Sequence, residues 1–169
     1  MKRKHYLLGS SLITLVLLLT SCGGSVTSYS KPDLRLEKGR LGILPFSSNI
    51  PEVGYVVSDT IGANLLASGF DIVDRTHMAR LLEEKDISYL EVNSPDYEKI
   101  GDITNVRFVL VGNIAFSSAT ARVVDVSNGE TVIITIFQPN KIIGSASAVD
   151  IGDSLAKSLG KKLAKGTEL

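Results

Sequence analysis

The chain has 169 residues, of which 44% are hydrophobic and 21% are charged, an ordinary globular composition that excludes wholesale disorder. Its formal net charge is zero, but loss of residues 1–21 would remove Lys2, Arg3 and Lys4 and leave 15 basic against 18 acidic side chains. A mildly acidic domain without a basic run lacks the electrostatic footprint of a nucleic-acid-binding protein. The single cysteine excludes an intrachain disulfide and a cysteine-based metal cluster.

The first 21 residues have the parts of a bacterial signal peptide. A basic segment over residues 2–5 precedes an apolar run over residues 6–19, which is too short for a transmembrane helix of about 20 residues. Small residues then precede Cys22 in a pattern that resembles the bacterial lipoprotein box. That resemblance implies a diacylglycerol on the Cys22 sulfur and a further acyl chain, such as palmitate, on its α-amine. The alternative is an ordinary secretory signal with an incidental cysteine.

Residues 22–39 are predicted to be the lipidated cysteine and a flexible tether, because Gly, Ser and Thr dominate their first part and charged residues follow. Fully extended, residues 23–39 would reach about 58 Å from the anchor. Gly23 rather than an aspartate follows Cys22, which resembles outer-membrane rather than inner-membrane sorting in enteric-type bacteria.

Residues 40–169 alternate strand and helix patterns and are predicted to be one folded domain. Capping residues indicate helix starts near Pro51, Thr76, Ser94 and Asp150. The element order β-α-β-α-α-β-β-β-α predicts an α/β fold with a mixed sheet of about five to six strands and about four helices. The strands are expected over residues 40–46, 70–74, 108–114, 121–126 and 131–137.

Two local features give sharper expectations. Asn128-Gly129 separates two β-rich runs, which predicts a tight hairpin with both residues at positive φ. Apolar residues recur at helical spacing in the first helix, at Val53, Val57, Ile61, Leu65 and Leu66. The last helix carries a similar stripe, in which we expect Leu155 and Leu159 to be buried.

His77 is the only histidine that follows the predicted signal peptide. No cysteine or second histidine accompanies it, so we expect an exposed position rather than a zinc ligand or a catalytic base. The sequence also lacks a Gly-x-Ser-x-Gly elbow, a phosphate-binding loop and a dinucleotide fingerprint. We therefore predict no metal and no cofactor.

The carboxylates do not form an obvious acid–base pair. Glu83, Glu84 and Asp86 alternate with basic residues on one helix, which favours a solvated face over a catalytic cluster. Asp74-Arg75 ends a strand beside a helix start, where a local cap and ion pair are favoured. Because nothing assembles a nucleophile, a base and oxyanion donors, the sequence predicts a protein that is not an enzyme.

Four segments in order resemble the CsgG (curli secretion channel) family and its LpoB-related relatives among bacterial envelope lipoproteins. The shared pattern is a strand ending in Pro-Phe, a strand closing on an acid and Arg before a helix, a Val-Gly-ending strand, and an Arg-x-Val-Asp-x-x-x-Gly-Glu hairpin. In this chain the segments are residues 41–46, 70–84, 100–112 and 121–130.

The resemblance implies a periplasmic domain with an anticodon-binding-domain-like fold on a lipid anchor. It also implies a non-enzymatic accessory or interaction module in cell-envelope assembly or secretion. Expected partners are the bilayer through acylated Cys22, another envelope protein, and further copies of the chain. The alternatives are a subunit of a CsgG-type oligomeric secretion channel, or an activator of a peptidoglycan synthase. The channel is disfavoured because residues 116–120 are too few for a membrane hairpin of about 20 residues.

Overall fold

A computed structural model describes residues 24–32, 40–87, 94–116, 118–140 and 146–167. They form a mixed sheet of seven strands with four helices, which confirms the predicted α/β class. Strand order along the sheet is β1-β7-β6-β5-β2-β4, and β3 pairs with β5. The strands are β1 Ser25–Ser30, β2 Leu41–Ile43, β3 Ser47–Ser48, β4 Ile72–Val73, β5 Phe108–Ala115, β6 Ser118–Asp125 and β7 Glu130–Gln138.

Parallel and antiparallel pairing divide the sheet into two parts. Strand β2 is parallel to both β4 and β5, whereas β5, β6, β7 and β1 are joined by antiparallel pairs. The helices are α1 Pro51–Ala67, α2 Arg75–Glu83, α3 Ser94–Thr104 and α4 Ala148–Thr167. Among the described residues, no helix is long and apolar enough to cross a membrane.

Two apolar cores lie on opposite faces of the sheet. Helices α1 and α4 pack on one face, where the apolar stripe of α4 (Ile151, Leu155, Leu159 and Leu163) is buried as predicted. Helices α2 and α3 cover part of the other face through the side chains Met78, Leu82, Tyr97 and Ile100. Leu66 belongs to the apolar spacing of α1 in the sequence, but its side chain is 63% exposed, because α1 turns Val57, Ile61 and Leu65 towards the sheet.

The predicted tether needs a correction, because residues 25–30 are the edge strand β1. This strand pairs antiparallel with β7, from Ser25 opposite Gln138 to Ser30 opposite Ile133. The Ser28 hydroxyl hydrogen-bonds with the hydroxyls of Thr135 on β7, at 2.6 Å, and of Ser158 on α4, at 2.5 Å. A segment rich in serine and threonine therefore joins the sheet through partners more than 100 residues away in sequence. The sheet accordingly begins ahead of residue 40, and Cys22 lies outside the described residues.

The β6–β7 connection also differs from the predicted tight turn. Asp125 pairs with Glu130, so four residues form the connection, and the Gly129 amide donates to the Asp125 carbonyl at 2.9 Å. Gly129 has a φ of +70°, and Asn128 is not in the left-handed region. The hairpin exists as predicted, but only its glycine uses the conformation that the Asn-Gly pair suggested.

Two helix caps lie next to the expected residues. The Asp74 carboxylate, not Thr76, caps α2 by accepting from the His77 amide at 3.0 Å. At α4 the Ser147 hydroxyl accepts from the Asp150 amide at 3.1 Å, and Asp150 in turn accepts from the Ser147 amide and hydroxyl. This reciprocal pair satisfies amides at the helix start that would otherwise lack partners.

Candidate functional site

The titratable residues of α2 occupy a solvated helix surface. His77 is exposed, and its ring nitrogen Nδ1 lies 3.2 Å from the Arg80 guanidinium. Arg80 also donates to Glu84 at 2.6 Å, one helical turn away. Glu83 and Asp86 are exposed as well. The predicted solvated face is confirmed, and these contacts are those of a helix-surface ion pair.

Asp74 and Arg75 act separately rather than as a pair. Asp74 caps α2, whereas Arg75 forms a two-pronged ion pair with Asp59 on α1, through Nε at 2.9 Å and Nη2 at 3.0 Å. The Arg75 guanidinium also lies 4.5 Å from the centre of the Tyr55 ring. This planar contact links α1 to the start of α2. The sequence identified both residues, but it gave no indication that the acid partner of Arg75 is Asp59.

Asp125 anchors the base of the β6–β7 hairpin. Its carboxylate accepts from the Ser127 amide at 3.0 Å, from the Ser127 hydroxyl at 2.6 Å and from the Arg107 guanidinium at 3.2 Å. Burial acts to raise the pKa of Asp125, but the hydrogen bonds from Ser127 and Arg107 outweigh it, so the pKa lies below its ordinary value. The aspartate of the Arg-x-Val-Asp motif therefore holds a turn together, and its surroundings are structural.

Neither a metal cluster nor a catalytic pair is formed by the side chains described above. Across the described ranges, no group of three His, Cys, Asp or Glu residues is placed to hold a metal ion. An open groove of about 430 Å³ lies between the C-terminal halves of α1 and α4. Its lining includes Phe70, Lys157 and Lys161, together with Ser68, whose hydroxyl donates to the Asn64 carbonyl within α1.

The most distinctive surface is the part of the sheet opposite α1 and α4, which we call the open sheet face. Alternation along β7 turns Ile133, Thr135 and Phe137 into the core and their neighbours Ile134 and Ile136 outwards. Both outward isoleucines are half-buried and belong to neither core. The open sheet face consists of Thr27, Tyr29, Thr120, Arg122, Ile134 and Ile136.

Strand register aligns this surface in two rows. Tyr29 lies opposite Ile134, which lies opposite Arg122. In the second row Ile136 lies between Thr27 on β1 and Thr120 on β6. Tyr29 is 60% exposed, and Arg122 is exposed. Aromatic, β-branched and arginine side chains side by side on rigid strands are typical of surfaces that bind proteins. Sequence reasoning missed this surface because its register depends on β1.

Comparisons with known proteins are limited to folds. No protein-family model matches the sequence, and no curated protein matches it. Two structures of the PelC dodecamer from Paraburkholderia phytofirmans match at 19% and 20% identity, with TM-scores of 0.52 and 0.51. Each match covers 81% of this chain. The first covers 97% of its PelC chain and the second covers 95%.

Two further structures match with lower TM-scores. The lipoprotein GNA1162 from Neisseria meningitidis matches at 16% identity and a TM-score of 0.48, covering 74% of this chain and 96% of that one. The LpoB C-terminal domain from Salmonella enterica matches at 12% identity and a TM-score of 0.46, covering 77% and 94%. Membership of the CsgG family stays a prediction, and what the comparisons establish is that this chain shares its fold with PelC.

Proposed function

We propose that this protein is a lipid-anchored bacterial envelope protein that acts by contact, without catalysis and without a cofactor, in cell-envelope assembly or secretion. Its domain is held in the periplasm by acylated Cys22, at the outer rather than the inner membrane. The observation that carries the proposal is the open sheet face. It presents Tyr29, Ile134 and Ile136 on paired strands, in a domain that begins directly after the predicted anchor.

The physical argument rests on the chemistry of that surface. Two half-buried isoleucines beside an exposed tyrosine form an apolar centre, and Arg122 supplies a charged donor at its edge. Burial of apolar area stabilises a complex, while the arginine can select the partner by pairing with a carboxylate. Strands β6 and β7 are fixed by the core behind them, so the surface is already arranged before a partner arrives.

Association between copies of the chain is a second candidate. The PelC structures that share the fold are dodecamers. In this chain β1 stands at one end of the strand order, and an edge strand presents main-chain donors and acceptors to a further strand. A second copy that covers the open sheet face would therefore also gain contacts along β1.

Activation of a peptidoglycan synthase across the periplasm is less well supported. Only two residues, Gly23 and Gly24, lie between Cys22 and Ser25, so the anchor reaches about 10 Å before the sheet begins. The fully extended tether predicted from the sequence would have reached about 58 Å. A domain held this close to its own membrane is better placed for partners in or at that membrane.

Site-specific photocrosslinking in the native envelope tests the proposal. A benzophenone amino acid replaces Tyr29 on the open sheet face, and a matched variant carries it at Leu66, which is equally exposed but lies on α1. We expect a specific adduct from position 29 and none from position 66. The mass of the adduct distinguishes a second copy from another envelope protein.

A charge introduced on the same surface provides the control for specificity. Ile136→Asp should abolish the adduct from position 29, because a carboxylate would be desolvated in the contact. Leu66→Asp should leave it intact. Equal adducts from positions 29 and 66, or an adduct that Ile136→Asp does not weaken, would contradict contact through the open sheet face.

A further inference from the structure

One end of the sheet gathers residues from several strands. Val26 lies opposite Phe137, Phe137 opposite Ala119, Ala119 opposite Ile114, and Ile114 opposite Ser48. These five residues form one row that crosses β1, β7, β6, β5 and β3. The chain enters the sheet just beyond this row, since β1 begins at the residue before Val26. The row therefore marks the end of the domain that lies nearest to Cys22.

Exposed apolar side chains project past this row from two strand ends. Phe116 follows Ile114 by two residues and is 96% exposed, and Ile50 follows Ser48 by two residues and is 58% exposed. Phe116 lies in the two-residue connection between β5 and β6 with a φ of +49°. Left-handed backbone is unfavourable for a bulky side chain, and this one gains no burial within the domain in return.

A third apolar side chain reaches the same end from α4. The first turn of α4 carries Val149, which is 50% exposed. Helix α4 runs parallel to α1, because Gly152 near its start lies beside Thr60, whereas Gly160, two turns later, lies near Leu65 and Phe70. The N-termini of both helices therefore lie at the end of the sheet where β1 starts. We call Ile50, Phe116 and Val149 the apolar tip.

Charge around the apolar tip is weak and acidic. Glu52 and Asp150 stand in the first turns of α1 and α4, where the partial positive charge of a helix start offsets a carboxylate. Within the described residues 47–53, 113–116, 137–140 and 146–151 there is no lysine or arginine. Such a surface favours apolar insertion into a neutral interface over electrostatic attraction to anionic lipid or nucleic acid.

We propose that the apolar tip inserts into the interface of the bilayer that holds Cys22. This inference rests on the lipid anchor of the proposed function, because the acylated cysteine can lie no more than about 10 Å from Ser25. The row across the sheet brings Phe116 to the same end, and phenylalanine, isoleucine and valine lower their free energy by leaving water there. The tip is a second attachment that fixes the orientation of the domain, so that the sheet stands upright and presents its open face sideways.

Tryptophan fluorescence measures this insertion directly, because the natural chain has no tryptophan. Phe116→Trp is prepared as the full acylated protein and reconstituted into phosphatidylcholine vesicles with brominated acyl chains. The matched control is Leu66→Trp, which is also exposed but lies at the far end of α1, about 22 Å further along the helix axis. Circular dichroism verifies that both variants fold.

The indole introduced by Phe116→Trp should shift its emission to the blue and be quenched by the bromines, as expected at interface depth. The indole of Leu66→Trp should do neither. Val149→Trp gives a reporter on a different element and should behave like Phe116→Trp. Vesicle-bound, acylated protein whose three indoles are equally exposed would overturn the apolar tip alone. A chain that is not acylated and does not float with the vesicles would overturn the lipid anchor as well.

Discussion

Replacing Leu159 with alanine tests the packing of α4 on the sheet. The Leu159 side chain is fully buried in the core shared by α1, α4 and the sheet, and the neighbouring Gly160 lies near Leu65 of α1. Leu→Ala removes apolar contacts and leaves a cavity, which costs about 2–5 kcal/mol in well-packed cores. The upper part of that range applies because the site is closed on both sides, by a helix and by the sheet.

That loss would be large compared with the total stability of a domain, which is about 5–15 kcal/mol. In a domain of this size each kcal/mol lowers the melting temperature by about 2–4 °C, so a loss of about 4–5 kcal/mol should make Leu159→Ala melt roughly 8–20 °C below the natural protein. Chemical unfolding followed by circular dichroism measures the free energy directly. The matched control is Leu66→Ala, which should change the stability by less than about 0.5 kcal/mol because its side chain is 63% exposed. Equal effects of the two substitutions would refute the assignment of α4 faces.

Asp125→Asn should lower the stability by about 1–3 kcal/mol near neutral pH, because a buried carboxylate loses charge-assisted bonds. The pKa of Asp125 is lowered in the folded protein, so its contribution to the stability is present above the ordinary pKa and is lost as the pH falls through the lowered pKa. Unfolding measured against pH should therefore show this loss at acid pH in the natural protein and not in the variant. Gly129→Val should cost about 1 kcal/mol or more in thermal unfolding, because Gly129 has a φ of +70°; an unchanged midpoint would contradict this turn. Gly54→Ala should cost about 1–3 kcal/mol by overpacking, since the new methyl group would meet the Phe46 carbonyl oxygen at 2.0 Å, and a stability equal to that of the natural protein would disprove this close approach.

Elements with strong local patterns were predictable from the sequence. The stripe that includes Leu155 and Leu159 defines α4, and the apolar run of β5 defines a central strand. Both signals are local, because helix and strand periodicity requires only neighbouring residues. Leu66 shows the limit of such patterns, since it continues the stripe of α1 in sequence but lies outside the contact with the sheet.

Elements that depend on distant partners were not predictable. Strand β1 has the composition of a linker and becomes a strand only because β7 and α4 supply partners for Ser28. The open sheet face has the same cause: Tyr29 joins Ile134 only when β1 is in register. In the apolar tip, Phe116 is exposed because the pairing of β5 with β6 runs to Ala115 and Ser118 and leaves only a two-residue connection. The sequence did not reveal the length of that connection.

The lipid on Cys22 is the central claim, since both the contact function and the apolar tip depend on it. Metabolic labelling with a radioactive fatty acid, combined with membrane fractionation of the natural chain and Cys22→Ala, tests it most directly. The account predicts that the natural protein is labelled and found in the membrane fraction. The Cys22→Ala variant should carry no label and should be absent from the membrane fraction as a processed protein. An unlabelled natural protein, or a Cys22→Ala variant held as firmly in the membrane as the natural chain, would contradict it.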